Sequence, residues 1–221
     1  MKKTCIAVAA LTFLSTLAAA QTGSPAPTQQ IVVTGSIFER NAQDAPYAIG
    51  AVDAQALRSS GPMVNLSESM ARVPGLVVAN RNNYAQDLQI SSRGFGARAG
   101  FGVRGVRLYT DGIPASMPDG QGQVSHFDLA SAQRVEVLRG PFSVLYGNSS
   151  GGVIAAVSAP QREGRFETGL DFGAFGLRKW RVSAGAPLGQ GFEARVGASG
   201  LEWDGFRPHS SASKTAAHGR L

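Results

Sequence analysis

Gly147-Asn148-Ser149-Ser150-Gly151 matches the G-x-S-x-G pattern around a nucleophilic serine, and Asp171 or Asp204 followed by His209 or His218 supplies an acid and a base in serine-hydrolase chain order. A nucleophile elbow needs a helix directly after the serine. Here Gly152-Val153-Ile154-Ala155 follows, glycine and β-branched residues that predict a strand, so Ser149 is read as a decoy. His126, Asp128, Asp111 and Asp119 are metal-ligand types, but their irregular spacing on loops reads as solvated polar groups. Gly94, Gly96, Gly100 and Gly102 depart from G-x-G-x-x-G and no long helical pattern follows, so no dinucleotide site is expected. The only cysteine, Cys5, lies in the N-terminal apolar segment. A mature chain starting near Gln21 therefore has no disulfide, thiolate nucleophile or cysteine metal site. No catalytic residue, metal or cofactor is expected.

The elements that must carry the remaining polar residues are those of an exported, turn-rich β protein. Lys2 and Lys3 precede an apolar run across residues 6–17 and then Ala18-Ala19-Ala20, the pattern of a cleaved secretory leader over residues 1–20. That run is shorter than the ~20 apolar residues a spanning helix needs. Formal charge is +6 from 21 basic and 15 acidic residues; without Lys2 and Lys3 it is 19 against 15, or +4. The basic residues are scattered, with no basic run interleaved with aromatics, which argues against nucleic acid despite a pI near 10. With 28 glycines and few helical periodicities, the composition suits turn-rich β structure.

Residues 21–30 (QTGSPAPTQQ) are polar and proline-punctuated and read as a flexible tether. Ile31-Val32-Val33-Thr34 is then a β-prone patch with no partner strand expected nearby, suited to adding to another protein's sheet edge or serving as an ordinary first strand. Asp53 can cap a first short helix, AQALRSS, ended by Gly61-Pro62. Asn65, with Glu68 three residues on, predicts a second, with Leu66, Met70 and Val73 on one face, stopped by Pro74-Gly75. Strands are predicted over residues 76–79, at LQISS with Leu88 and Ile90 alternating, and at VRLYT, where Asp111-Gly112 supplies a tight turn. Residues 128–133 form a turn into RVEVLRGP, a strand expected to be half-buried, and VIAA makes another. Beyond Pro160, RFETGLDFGAFG, LRKWRVSAGAPL and FEARVGASGLEWDGF alternate large apolar with small or polar residues. They predict transmembrane β-strands, with Phe172, Phe175, Trp180 and Trp203 as interface aromatics.

The run RVEVLRGPFSVLYGNSSGGVIAA at residues 134–156, with IVVTGS at 31–36 and YTDGIP at 109–114, resembles the plug domain of TonB-dependent outer-membrane receptors. The resemblance implies an α+β fold, a small mixed-sheet plug over residues 45–160 followed by the first antiparallel strands of an incomplete transmembrane β-barrel at 161–221. It places a TonB box at Ile31, Val32, Val33, Thr34, Gly35 and Ser36 within a tether spanning 21–44, and implies a periplasmic TonB-type energising partner. Arg93-Gly94 and Arg139-Gly140 match the arginine-glycine positions that pair with acids of the barrel wall in the family. Glu136 is a candidate acid within the plug, and exposed surface arginines are the alternative. Loops carrying Arg81, Asn82 and Asn83, then Arg98 and Phe101, then Met117, Asp119 and Gln121, are implied to face the ligand. That ligand is expected to be a ferric siderophore, another iron chelate or a small redox cofactor such as pyrroloquinoline quinone.

The 61 residues after Pro160, 221 less 160, supply a few strands at roughly 10 residues each against the roughly 22 of an outer-membrane transporter barrel. The chain is therefore expected to be a fragment of a receptor that takes up a scarce ligand at the outer membrane. A soluble periplasmic plug-like module that binds the energising partner is the alternative class. A serine hydrolase is the remote one.

Overall fold

The computed structural model describes residues 32–33, 40–41, 48–80, 84, 86–140, 143–147, 150–159 and 164–221. The expected leader, residues 1–20, and the tether residues 21–30 lie outside them.

β1 (Val32–Val33) pairs antiparallel with β2 (Arg40–Asn41), Val32 opposite Asn41 and Val33 opposite Arg40. This corrects the expectation that the Ile31–Thr34 patch has no partner strand nearby: the seven-residue step from Val33 to Arg40 is long enough for the chain to double back.

β3 (Ala48–Asp53) passes directly into α1 (Ala54–Ser59) because the Asp53 carboxylate accepts from the Ala56 N–H at 2.7 Å, satisfying a first-turn donor. α2 (Ser67–Met70) is held from both sides. Asn65 Oδ1 accepts from the Ser67 N–H at 3.0 Å, while Glu68 folds back to accept from the N–H groups of Met63, Val64 and Asn65 at 2.6, 3.0 and 3.4 Å. This is capping-box logic, with the helical turn opening at Leu66, one residue after Asn65. Leu66, Met70 and Val73 are buried, as their spacing predicts. β4 (Leu76–Ala79) and β5 (Gln89–Ser92) make a separate antiparallel ladder with Leu76 opposite Ser92; Leu88 and Ile90 point into the core.

The main sheet has five strands in the order β3-β8-β9-β6-β7. β6 (Arg107–Thr110) turns through Asp111 (φ 49°) and Gly112 (φ 82°) into β7 (Ile113–Pro114); two positive φ angles in a two-residue turn match the right-handed twist of the hairpin. β8 (Ala132–Arg139) runs antiparallel to both β3 and β9 (Val153–Ser158), whereas β6 and β9 are parallel, Arg107 opposite Val153. The sheet is therefore mixed. Val135 and Val137 face the core shared with Leu57, Leu66, Met70, Ile90, Leu108 and Phe127, while Leu138 and Val153 pack on the other side with Ile49, Tyr109 and Tyr146. β8 is thus buried on both faces rather than half-buried. Between β8 and β9, Ser143–Tyr146 form one helical turn, α3. Gly152 (φ +110°) admits the close passage of β9 under β8: a Cβ there would overlap the Leu138 carbonyl oxygen.

β10 (Arg165–Phe172), β11 (Arg178–Gly189), β12 (Phe192–Trp203) and β13 (Ala212–Arg220) form an open antiparallel sheet, here the wall. Its outward row, including Phe166, Leu170, Phe172, Trp180, Val182 and Val196, is exposed and apolar. The inward row carries Asp171, Lys179, Arg181, Arg195, Lys214, His218 and Arg220, alternate positions in register across the strands. Apolar outside and polar inside is the pattern of a membrane-spanning barrel wall. The fourth strand, β13, was not anticipated from the sequence.

Candidate functional site

Three places gather the polar residues. The first is a loop apex. Val103 and Gly122 exchange backbone hydrogen bonds of 2.8 and 2.9 Å, drawing loop 97–102 against loop 115–123 at the end of the sheet where β6 begins. Arg104 Nη2 donates to Gln121 Oε1 at 2.9 Å and lies 3.8 Å from Asp119 Oδ2; the Met117 N–H donates to the Gln121 carbonyl at 2.7 Å. With the polar groups occupied in bracing the loops, Phe101 (82% exposed) and Met117 (62%) are exposed, as is Arg98. The structure therefore brings Met117, Asp119 and Gln121 together and draws the loop that carries Arg98 and Phe101 against theirs. Arg81, Asn82 and Asn83 lie outside the described residues. Sequence reading missed Arg104, whose signal was its place between the glycines of the loop and the first residue of β6. Chemically the apex offers an aromatic face, a thioether and guanidinium groups.

The second place is an arginine pair. Arg93, at φ 50°, donates its N–H to the Gly75 carbonyl at 2.9 Å, and Arg139 Nη1 donates to the carbonyl of the adjacent Pro74. A Cβ on Gly75 would lie within van der Waals range of both arginine side chains, so the two cations flank that turn. Burial, and then the charge of Arg93, lower the Arg139 guanidinium from its ordinary value. Among the described residues no carboxylate lies within 4.0 Å of either, and Arg139 Nε is buried without an acceptor. Glu136 is not their partner. It is fully buried on β8 and pairs with Arg134, Nε to Oε1 2.7 Å, because residues two apart on a strand share a face. Burial, then the charge of Glu136, raise the nearby Tyr146.

The third place is the seam between the plug and the wall. His218 Nδ1 of β13 lies 2.5 Å from Asp128 Oδ2. Arg220 lies 3.5 Å from Asp111 Oδ1 and also pairs with Glu193, and Lys179 Nζ donates to the Pro62 carbonyl at 3.2 Å. Asp111 further accepts from the Ser158 N–H at 2.7 Å and its hydroxyl at 2.8 Å, binding the β6–β7 turn to the end of β9. Higher on the wall, Tyr84 packs on Trp203 with ring centroids 6.1 Å apart. At this seam, away from Arg93 and Arg139, plug carboxylates meet basic side chains of the wall. The signal was the alternation of Lys214, His218 and Arg220 along β13, which small residues between them hid.

Of the residues expected to form a TonB box, Val32 and Val33 lie in β1, and Ile31, Thr34, Gly35 and Ser36 fall outside the described residues. Ser149 also falls outside them; the described segment that follows, after Gly151-Gly152, is strand β9 and not the helix that a nucleophile elbow needs. Asp171 pairs with Arg181 at 2.8 Å and His218 with Asp128, which separates the other hydrolase candidates. Asp111, Asp119 and Asp128 are each engaged elsewhere, and among the described residues no group of three His, Cys, Asp or Glu is placed to hold a metal.

A mixed-sheet plug seated on an apolar-outside wall defines a class, and comparison with known proteins agrees. Residues 41–153, just over half of the chain, match the TonB-dependent Receptor Plug Domain, and the chain belongs to that family. It is 32% identical over 131 residues to the hemin receptor of Yersinia pestis, covering 58% of this chain and 18% of that protein. It is 23% identical to the vitamin B12 transporter BtuB of Vibrio vulnificus over 92% of this chain and 35% of that one. The chain thus spans about a fifth to a third of the curated relatives it matches. Among solved structures, the unliganded ferric citrate transporter FecA superposes with a TM-score of 0.65 at 23% identity, over 80% of this chain and 28% of that one. The ferric yersiniabactin uptake receptor FyuA of Yersinia pestis gives 0.53 at 26% identity, over 81% and 29%. These relatives are receptors and transporters.

Proposed function

We propose that the chain is the plug and first wall strands of an outer-membrane receptor that takes up a scarce small ligand, such as a ferric siderophore, at the expense of inner-membrane energy. The carrying observation is the wall: its outward row is exposed and apolar while its inward row is charged and seated on the plug, an arrangement that suits lipid on one side. Residues 1–20 then serve as a secretory leader, 21–44 as a tether with the partner-binding box at 31–36, 45–160 as the plug and 161–221 as wall strands. The apex around Phe101, Met117 and Arg98 meets the ligand, and Arg93 and Arg139 meet acids of the surrounding wall through charge-assisted forks. No catalysis is assigned. Ligand binding at the apex is coupled to the disposition of residues 31–36, a two-state coupling between separate sites.

Capture of that segment by strand addition exchanges the β2 partner of Val32 and Val33 for a strand of the energising protein. Main-chain hydrogen bonds then supply most of the affinity. Val33→Pro, which removes a donor and fixes φ, weakens binding of the energising protein's periplasmic domain at least tenfold, whereas Val33→Ala costs little. Titration of the full chain with that domain reads the difference. Equal binding by wild type, Val33→Ala and Val33→Pro overturns the assignment of residues 31–36.

A further inference from the structure

A cavity of about 860 Å³ lies at the seam, at the end of the sheet where Asp111 meets Ser158 and opposite the loop apex. Its lining includes Tyr109, Thr110, Ile113 and Tyr146 from the plug and Arg195 and His218 from the wall. We propose that this cavity is a second small-molecule site, one that takes an aromatic carboxylate with Arg195 as its charge partner. The inference does not depend on the uptake reading.

The charges around the cavity leave one over. Asp111 is matched by Ser158 and Arg220, Asp128 by His218 and the Ala130 N–H, and Glu136 by Arg134. Arg220 is further matched by Glu193. Arg195 is 7% exposed, its Nη1 has no acceptor among the described residues, and it makes no ion pair with them. A buried, unpaired guanidinium is costly, and such a group ordinarily has an anion. Three further buried polar atoms of the lining also lack hydrogen-bond partners among the described residues, Thr110 Oγ1, His218 Nε2 and Asp128 Oδ2, the last of which contacts His218 Nδ1. Register places them close. Arg195 is opposite Arg220 and Gly197 opposite His218, so Arg195 and His218 are diagonal neighbours on the inward face, where long side chains reach one another.

The shape and the remaining lining select the rest of the ligand. The volume falls in the range of small-molecule sites, about 300–1,000 Å³. Tyr109 and Tyr146 stand edge to face with centroids 5.2 Å apart, and with Ile113 they offer an apolar, aromatic wall against which a ring can pack. A planar carboxylate suits the fork of the guanidinium, and a bare phosphate would leave the aromatic wall unused.

The test titrates the full-chain protein in detergent micelles with benzoate at constant ionic strength, by calorimetry. Saturable binding is expected, weakened at least tenfold by Arg195→Gln and unchanged by Arg165→Gln, a charge control at the far strand of the wall. Nuclear Overhauser contacts between benzoate and tyrosine ring protons are expected in the wild type, a readout that does not rely on any variant folding. Arg195→Lys, which keeps the charge and loses the fork, falls between. Absence of saturable binding, equal affinity in Arg195→Gln, binding of inorganic phosphate as tight as that of benzoate, or absence of the tyrosine contacts would each overturn the proposal.

Discussion

Replacing Asp111 tests how the β6–β7 turn is fastened to the sheet. Its carboxylate accepts two hydrogen bonds from Ser158, at 2.7 and 2.8 Å, and its side chain is 19% exposed, so solvent screens these bonds only weakly. Hydrogen bonds to a charged group contribute roughly 1.5–3 kcal/mol each. Because the Ser158 N–H is half-buried and can recover some hydration, the lower figure applies, giving about 3 kcal/mol for the pair. Asp111 also sits at φ 49°, where alanine pays about 1 kcal/mol for the left-handed conformation that Asp tolerates. Asp111→Ala is therefore expected to destabilise by about 4 kcal/mol, a large share of the 5–15 kcal/mol that holds a domain together. Asp111→Asn keeps an acceptor for the Ser158 N–H and tolerates the same φ, so it should lose about 1–2 kcal/mol. The assay is urea unfolding of the full chain in micelles, followed by tryptophan and tyrosine fluorescence. If Asp111→Ala stays within about 1 kcal/mol of the wild type, or if the Asn variant is as damaging as the Ala variant, the carboxylate is not what secures the turn.

Two further outcomes can be read in the same assay. Gly152→Ala places a Cβ against the Leu138 carbonyl oxygen at φ +110°, so a loss of about 3 kcal/mol or more is expected, and a wild-type urea midpoint would show that β8 and β9 can move apart at no cost. Burial raises Glu68 above its ordinary 4.5, with the backbone hydrogen bonds from Met63, Val64 and Asn65 opposing. A folded-state value above the unfolded one favours the folded chain below pH 4.5 and loses that contribution as pH rises through the folded value. Glu68→Gln, which keeps an acceptor and cannot ionise, should flatten this part of the profile. Unfolding midpoints of both proteins from about pH 4 to about pH 7 decide the point; parallel profiles would exclude the buried carboxylate as the cause.

What the sequence alone determined were features written within a few residues of one another. Asp53 three residues before the Ala56 N–H, Glu68 reaching back to Asn65, the positive-φ pair Asp111-Gly112, and the alternation through β10, β11 and β12 all follow from local geometry, and all were legible. The candidate apex was partly legible too, since glycine-rich stretches at 97–102 and 115–123 must be loops. Tertiary structure decided which segments meet. The parallel pairing of β6 with β9 spans more than 40 residues and carries no local mark, and β8 is buried on both faces only because β3 and β9 flank it within the assembled sheet. The seam was decided the same way. β13 reads as ASKTAAHGR, small and polar residues with weak strand preference, and it becomes a strand because β12 presents an edge to pair with. Only then do Lys214, His218 and Arg220 fall on one face and turn toward the plug, so the charges of the seam come from pairing partners that no local pattern encodes.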